Sequence, residues 1–211
     1  MLIATWNVNS LKARLPRVQQ WILENKPDVL CIQETKMKDA VFPSLVFHEM
    51  GYESAHFGQG QWNGVAILSK VGLDNVINNF AVGEPDGEAR IISAECGGIT
   101  VVCVYVPNGR ELEHDHYQYK LRWMKQLRAH AEALTTPEGK ISTAVIPPGV
   151  QLAVLVVVAK NVTQTPTTKI GKHFTLGGGT RRVLWRRHVV ARQLDDLLWH
   201  QVGAVGLLEG E

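Results

Sequence analysis

Leu2 to Asn7 is an apolar run of strand length, broken only by Thr5 and by the asparagine that ends it. Leu15, Val18, Trp21 and Ile22 then recur at helical spacing, with Pro16 early in the segment and Lys26-Pro27 closing it. Val29-Leu30-Cys31-Ile32 reads as a second buried strand, ending at Gln33-Glu34. Strand, helix and strand together have the length of a βαβ unit, about 30 residues. If the two strands are parallel neighbours, their carboxyl ends share one edge of the sheet. Asn7 and Glu34 then stand side by side, where open α/β sheets hold ligands.

The pattern continues with a short helix over 41–50 and strands near Glu53 to His56 and Val65 to Leu68. Arg90 to Cys96 and Ile99 to Val106 are β-rich runs joined by Gly97-Gly98, a hairpin signal. Between Tyr117 and Leu134, Leu121, Met124, Leu127, Ala131 and Leu134 recur every three or four positions, which predicts an amphipathic helix lying on a sheet. No internal repeat is present, and the whole reads as α/β. Beyond Thr135 the periodicity weakens. Gln151 to Lys160 reads as a strand and Val189 to Trp199 as a helix, between Pro147-Pro148, a threonine-rich stretch and Gly177-Gly178-Gly179.

Composition changes this picture in one place. Hydrophobic residues make up 45% and charged residues 20% of the 211 positions, with a formal net charge of +2. This is an ordinary globular mix, too mild in charge to indicate a polyanion partner by itself. The charge is unevenly spread, however. Residues 1–140 hold 16 acidic and 14 basic side chains, and residues 141–211 hold 4 and 8. This shift predicts a boundary near 139–140, with a divergent tail over 140–211. Cys31, Cys96 and Cys103 lie in apolar stretches without metal-type spacing, which predicts reduced, buried thiols in a cytoplasmic protein. The start reads straight into a strand, with no signal-peptide pattern. The longest apolar run, Leu152 to Ala159, is well short of the ~20 residues of a membrane helix. A monomer without membrane association is expected.

Asn7 and Glu34 are the first candidates for chemistry. A polar group that closes a buried strand costs free energy unless it is partnered. An amide and a carboxylate at one sheet edge suit a hard cation with oxygen ligands, and magnesium takes one or two carboxylates while keeping several waters. The plainer alternative is a pair of strand-end residues bonded to loops.

Five motifs widen the pattern. Trp6-Asn7-Val8-Asn9-Ser10-Leu11 and Ile32-Gln33-Glu34-Thr35-Lys36 come first. Trp62-Asn63-Gly64-Val65-Ala66-Ile67-Leu68-Ser69, Tyr105-Val106-Pro107-Asn108-Gly109 and Tyr117-Gln118-Tyr119-Lys120-Leu121-Arg122-Trp123 follow in order. Together, over residues 1 to about 134, they resemble the exonuclease III branch of abasic-site endonucleases in the endonuclease/exonuclease/phosphatase superfamily. The resemblance implies a four-layer α/β sandwich. It also implies a Mg2+-dependent DNA-repair phosphodiesterase (Mn2+ as substitute) with abasic-site endonuclease and 3′-5′ exonuclease activities, acting on double-stranded DNA with abasic or 3′-damaged ends. Glu34 would be the principal magnesium ligand and Asn7 part of the metal-site network. Tyr105 would sit at the scissile phosphate with Asn108 beside it. Lys36 and Arg14 would contact backbone phosphates, and Trp62 and Asn63 would lie near the DNA. A strand-end tyrosine anchored by its hydroxyl is the plain alternative for Tyr105, and a solvated surface charge for Lys36, Arg14 and Arg110.

The family completes its site with a Gly-Asp-Phe-Asn-like motif and a Ser-Asp-His-like motif in the second half of the chain, and neither is present. The strand Leu152 to Val158 sits about where the first belongs, but Ala159-Lys160-Asn161 follows it, and lysine cannot replace an acidic ligand. Asp115-His116 lies too early, and His188 and His200 read as ordinary histidines. The triple glycine lacks the lysine and the strand-to-helix frame of a phosphate loop. The sandwich is therefore expected to be incomplete in its C-terminal half. A catalytically inactive fragment or DNA-binding remnant stands as the alternative function. A phospholipid or inositol phosphate substrate is a third, which the Gln33-Glu34-Thr35-Lys36 and Tyr105-Val106-Pro107-Asn108-Gly109 versions disfavour.

Overall fold

The computed structural model describes residues 1–134 with their side chains, and the backbone of three later strands, 140–145, 153–159 and 183–186. The expected helix over 189–199, the triple glycine, His188 and His200 lie outside the described residues.

Strand β1 (Leu2–Asn7), helix α1 (Leu11–Asn25) and strand β2 (Val29–Gln33) form the expected unit, with β1 and β2 parallel and Asn7 in register with Gln33. After a 3-10 turn at Asp39–Val41 come α2 (Ser44–Glu49), β3 (Glu53–Phe57) and β4 (Val65–Ser69). The expected 41–50 helix is thus broken at Phe42-Pro43, because proline cannot supply the N–H that would continue the turn. The chain continues with β5 (Asp74–Asn78), β6 (Ile91–Cys96), β7 (Ile99–Tyr105) and α3 (Asp115–Leu134), then β8 (Lys140–Val145), β9 (Ala153–Ala159) and β10 (Val183–Arg186). Gly97 and Gly98 both take positive φ, 56° and 78°, as a tight two-residue hairpin requires.

Two five-stranded sheets result, ordered β10-β1-β2-β4-β3 and β5-β6-β7-β9-β8. Alternation along the strands assigns their faces. On β2, Leu30 and Ile32 pack with Val18, Trp21 and Ile22 of α1, whereas Val29 and Cys31 face the other sheet. On β7, Cys103 and Tyr105 face inward between the sheets, and Val102 and Val104 pack under Trp123, Leu127 and Ala131 of α3. The order helix, sheet, sheet, helix is the four-layer α/β sandwich. All three cysteines are buried free thiols, and burial pushes the Cys31 thiol well above its usual range.

β9 runs antiparallel to β7, pairing Tyr105 with Ala153 and Ile99 with Ala159. Its first residue, rather than its last, therefore lies beside Tyr105. Ala159, which leads into Lys160-Asn161, lies at the far end of the strand.

Candidate active site

Two neighbouring strands from different sheets end at the same place. Glu34 follows the last residue of β2, and Tyr105 is the last residue of β7. Glu34 is 6% exposed and takes φ 54°, a left-handed conformation uncommon outside glycine. A carboxylate this buried costs several kcal/mol unless compensated, on the order of the penalty for any buried ion. Two groups compensate it. The Asn7 Nδ2 donates to Glu34 Oε1 at 2.7 Å, and the Lys36 ammonium lies 3.1 Å from Oε2. The Tyr105 hydroxyl lies near enough to the same carboxylate to feel its charge. A carboxylate only accepts, so Asn7 turns its NH2 toward Glu34 and its Oδ1 accepts the Asn9 N–H at 3.0 Å. The amide thereby ties the tip of β1 to the tip of β2.

The surrounding backbone is stitched as closely. Ser10 N–H donates to Glu34 O (2.7 Å), Leu11 N–H to Thr35 O (3.0 Å), Thr35 N–H to Gly64 O (3.1 Å) and Lys36 N–H to Asn63 O (3.0 Å). Lys36 and Asn63 share the left-handed conformation of Glu34, with φ 53° and 55°. Gly64, with φ 90°, allows the closest approach, since a Cβ there would overlap Thr35 Oγ1.

Tyr105 is buried, and loss of water pushes its hydroxyl well above the ordinary phenol range. The Glu34 charge adds to this, and Arg90 pulls it back. It is therefore a proton donor at neutral pH, not a base. Arg90 lies 4.8 Å from the Tyr105 ring centroid and donates to the Tyr105 carbonyl at 3.3 Å. It also pairs with Glu88 at 2.5 Å. Burial raises the Glu88 carboxyl, but the paired Arg90 outweighs it and, with smaller effects from Tyr119 and Asn63 nearby, holds the group below the usual range. Asp86 accepts the Tyr119 hydroxyl at 2.9 Å and the Trp123 indole N–H at 2.8 Å.

Of the residues expected at the site, Asn7, Glu34, Lys36 and Tyr105 come together directly. Arg14 bonds the Asn9 carbonyl on the adjoining loop. Trp62 is 63% exposed, whereas its neighbour Asn63 is buried and serves the Glu88 network. Asn108 is exposed and caps its own turn by accepting the Arg110 N–H at 3.0 Å. The sequence pattern assigned no chemistry to Arg90, Glu88, Thr35 or His56. For Arg90 a signal existed: a charged residue opens a strand whose neighbour ends at Tyr105.

Among the described residues, no three or more His, Cys, Asp or Glu side chains gather into a cage. One carboxylate beside an amide fits an ion that keeps most of its own water, as magnesium does, better than an ion needing four protein ligands.

Several known proteins resemble this chain in sequence and fold. Exodeoxyribonuclease III of Haemophilus influenzae is 34% identical over 119 residues, which is 54% of this chain and 45% of that protein. DNA repair nuclease APEX1 of Danio rerio is 32% identical over 136 residues, 62% of this chain and 43% of that one. The chain thus spans about half the length of the relatives it matches. The solved structure of a variant of the 3′ phosphatase NExo from Neisseria, bound to product DNA hairpin, superposes with a TM-score of 0.61 at 37% identity. That superposition covers 63% of this chain and 52% of the other. The sequence profile described as the Endonuclease/Exonuclease/phosphatase family matches residues 4–200, continuing past the change in composition near 135. A four-layer sandwich with a carboxylate at the shared strand edge and a profile match along most of its length identify the chain as a member of the Endonuclease/Exonuclease/phosphatase family.

Proposed function

We propose that this chain carries the metal- and phosphate-binding half of a magnesium-dependent DNA-repair phosphodiesterase of the exonuclease III type. Its substrate is duplex DNA with abasic or 3′-damaged ends. The observation that supports this most is Glu34: a nearly buried carboxylate in a strained left-handed backbone, at an edge shared by two sheets, with its charge met by Lys36. Strain of this kind clusters at functional sites. Glu34, with Asn7 orienting it, would hold a divalent ion, which would supply neutralisation of the charge developing on the phosphate. The protein's own groups do the rest. Asn7 holds the Glu34 carboxylate in place, and Tyr105, protonated at neutral pH, offers a hydrogen bond to a phosphate oxygen. Lys36, partly exposed beside Glu34, is placed to pair with a phosphate. Arg14, Trp62 and Asn108 extend the contact surface along the DNA, and Asn63 acts through the loop that carries Trp62.

A specific observation favours a second reading, a DNA-binding remnant with little or no turnover. Hydrolysis also needs a group that positions or deprotonates water. Tyr105 is too weak an acid to act as a base, and the β9 strand beside it, Ala153 to Ala159, contains no ionisable residue. Turnover far below that of a full-length relative is expected.

Incision of a duplex carrying a tetrahydrofuran abasic analogue, with Mg2+ and then with EDTA, tests both readings. Under the first, chelator abolishes incision and Glu34→Gln lowers it roughly a hundredfold or more. Under the second, no chelator-sensitive incision is seen while fluorescence anisotropy still reports binding of the same duplex. Incision at ordinary rates that Glu34→Gln leaves untouched would overturn the metal assignment.

A further inference from the structure

Behind Glu34 lies a second polar cluster that the site's chemistry does not use. Thr35 Oγ1 is 2.8 Å from His56 Nε2, and His56 Nδ1 is 2.7 Å from Asp39 Oδ1. Phe42 stacks on the imidazole with centroids 4.3 Å apart and planes 14° from parallel. Asp39 Oδ1 also accepts the Gly58 N–H at 2.8 Å. A Cβ at Gly58 would overlap His56 Cε1, so the chain at 58 is fitted to the ring edge. Carboxylate, imidazole and hydroxyl in this order resemble the arrangement that activates a nucleophile. Here they cannot do so, because Thr35 is fully buried and no substrate reaches its hydroxyl.

The chemistry of the ring assigns the hydrogen bonds. Asp39 only accepts and lies 2.7 Å from Nδ1, so its charge favours the proton there, although the two are not aligned as a hydrogen bond. Burial pushes His56 below the ordinary histidine value despite Asp39, leaving the ring neutral at pH 7 with Nε2 as acceptor. Thr35 therefore donates. Its position in the chain gives this bond its consequence. Thr35 stands between Glu34 and Lys36, both left-handed, a conformation that residues other than glycine keep only where their surroundings hold it. Backbone bonds fix the amides around it, and the Oγ1–His56 bond anchors the side chain at the centre of the turn.

We propose that His56, oriented by Asp39 and Phe42, is a positioning residue that locks Thr35 and so sets the left-handed turn presenting Glu34 and Lys36. Its effect on metal affinity rests on the reading of Glu34 as a metal ligand, whereas its effect on the turn does not.

The test uses the full chain and the variants Glu34→Gln, Thr35→Val, His56→Leu and His56→Gln. Amide hydrogen exchange in metal-free protein is read at Ser10, Leu11, Thr35 and Lys36, and Mn2+ alone is titrated by electron paramagnetic resonance. Thr35→Val and His56→Leu are expected to speed exchange at those four amides roughly tenfold while leaving β6 and α3 unchanged, and to weaken Mn2+ roughly tenfold, the scale of a lost supporting bond. His56→Gln, whose carbonyl can still accept the Thr35 hydroxyl, should stay within about threefold of wild type by the same measure. Unchanged exchange in Thr35→Val, or His56→Gln as impaired as His56→Leu, overturns the proposal. Should His56→Leu fail to fold, the near-isosteric Thr35→Val decides alone. Mn2+ binding that Glu34→Gln leaves intact would refute the metal reading, and exchange would still decide the role of His56.

Discussion

Inside the core beneath α3, His130 is wholly buried. Its Nδ1 accepts the Ala81 N–H at 2.8 Å, and its Nε2–H donates to Ser93 Oγ at 2.8 Å. Neither bond favours the charged ring, and burial lowers its pKa from 6.5 to about 4. A depressed folded-state value means that the stability it confers is present above pH 6.5 and is lost as pH falls through 4. The full window corresponds to about 3 kcal/mol. Urea unfolding of wild type should therefore weaken more steeply between those pH values than that of His130→Gln, and parallel curves would contradict the assignment. Sequence could not supply this. A histidine at one position of an amphipathic helix is identical on paper whether it faces water or a serine from another strand. Glu34 and Tyr105 were legible because each closes an apolar run. His56 acts through partners distant in sequence and was not, while Arg90 stood out only as a charge at a strand opening, its partners unseen.

At the scale of elements, α1 begins at Leu11, so Pro16 lies inside the helix and not near its start. Local pattern favoured a later beginning. The earlier one is held by tertiary bonds from Ser10 and Leu11 N–H to the Glu34 and Thr35 carbonyls. These occupy donors at the helix entry that have no partner within the helix. The second loop thus decides where the first helix starts. β5 escaped detection for a different reason: four of its five residues are exposed and it is polar, so no buried face imposes a period. Gly64 is the sharpest elemental constraint. Gly64→Ala combines positive φ with an overlap on Thr35 Oγ1, and should cost at least about 2 kcal/mol in urea unfolding. Gly51→Ala meets nothing within 4 Å and should cost only the backbone strain, about 1 kcal/mol. Equal losses at the two positions would show that the Thr35 contact relaxes freely.

At the scale of the molecule, strands from beyond residue 139 pair into both sheets. β10 pairs with β1, and β9 pairs with β7 while β8 extends the edge. Ending the chain at Leu134 would expose the unpaired sides of β1 and β7, each flanked by buried apolar residues, and open edges of that kind recruit other chains. Sedimentation velocity should find the 1–134 fragment self-associated, against a monomeric full chain. A monomeric fragment would mean that these edges are protected in another way. The antiparallel run of β9 belongs to this scale as well. An apolar strand of the expected length occupies a central place in the second sheet, yet its direction brings Ala153 to Tyr105. Strand content is written in hydrophobicity, but strand direction depends on connections and pairing across the whole sheet.

By itself, the sequence determined the alternation of elements, the apolar faces of the strands, the ends at which polar side chains interrupt them, and the ordered motifs that mark the family. These are local properties, since each depends on residues within a turn or two of one another. Only the tertiary structure decided which strand ends meet, where α1 begins, which neighbours hold Glu34 and Lys36 in a left-handed turn, and how His56 and Arg90 enter the site. Those outcomes join side chains from 15 to 28 positions apart or more, as Arg90 with Tyr105 and Gln33 with Thr5 illustrate. Such contacts exist only once both sheets have closed on a common core.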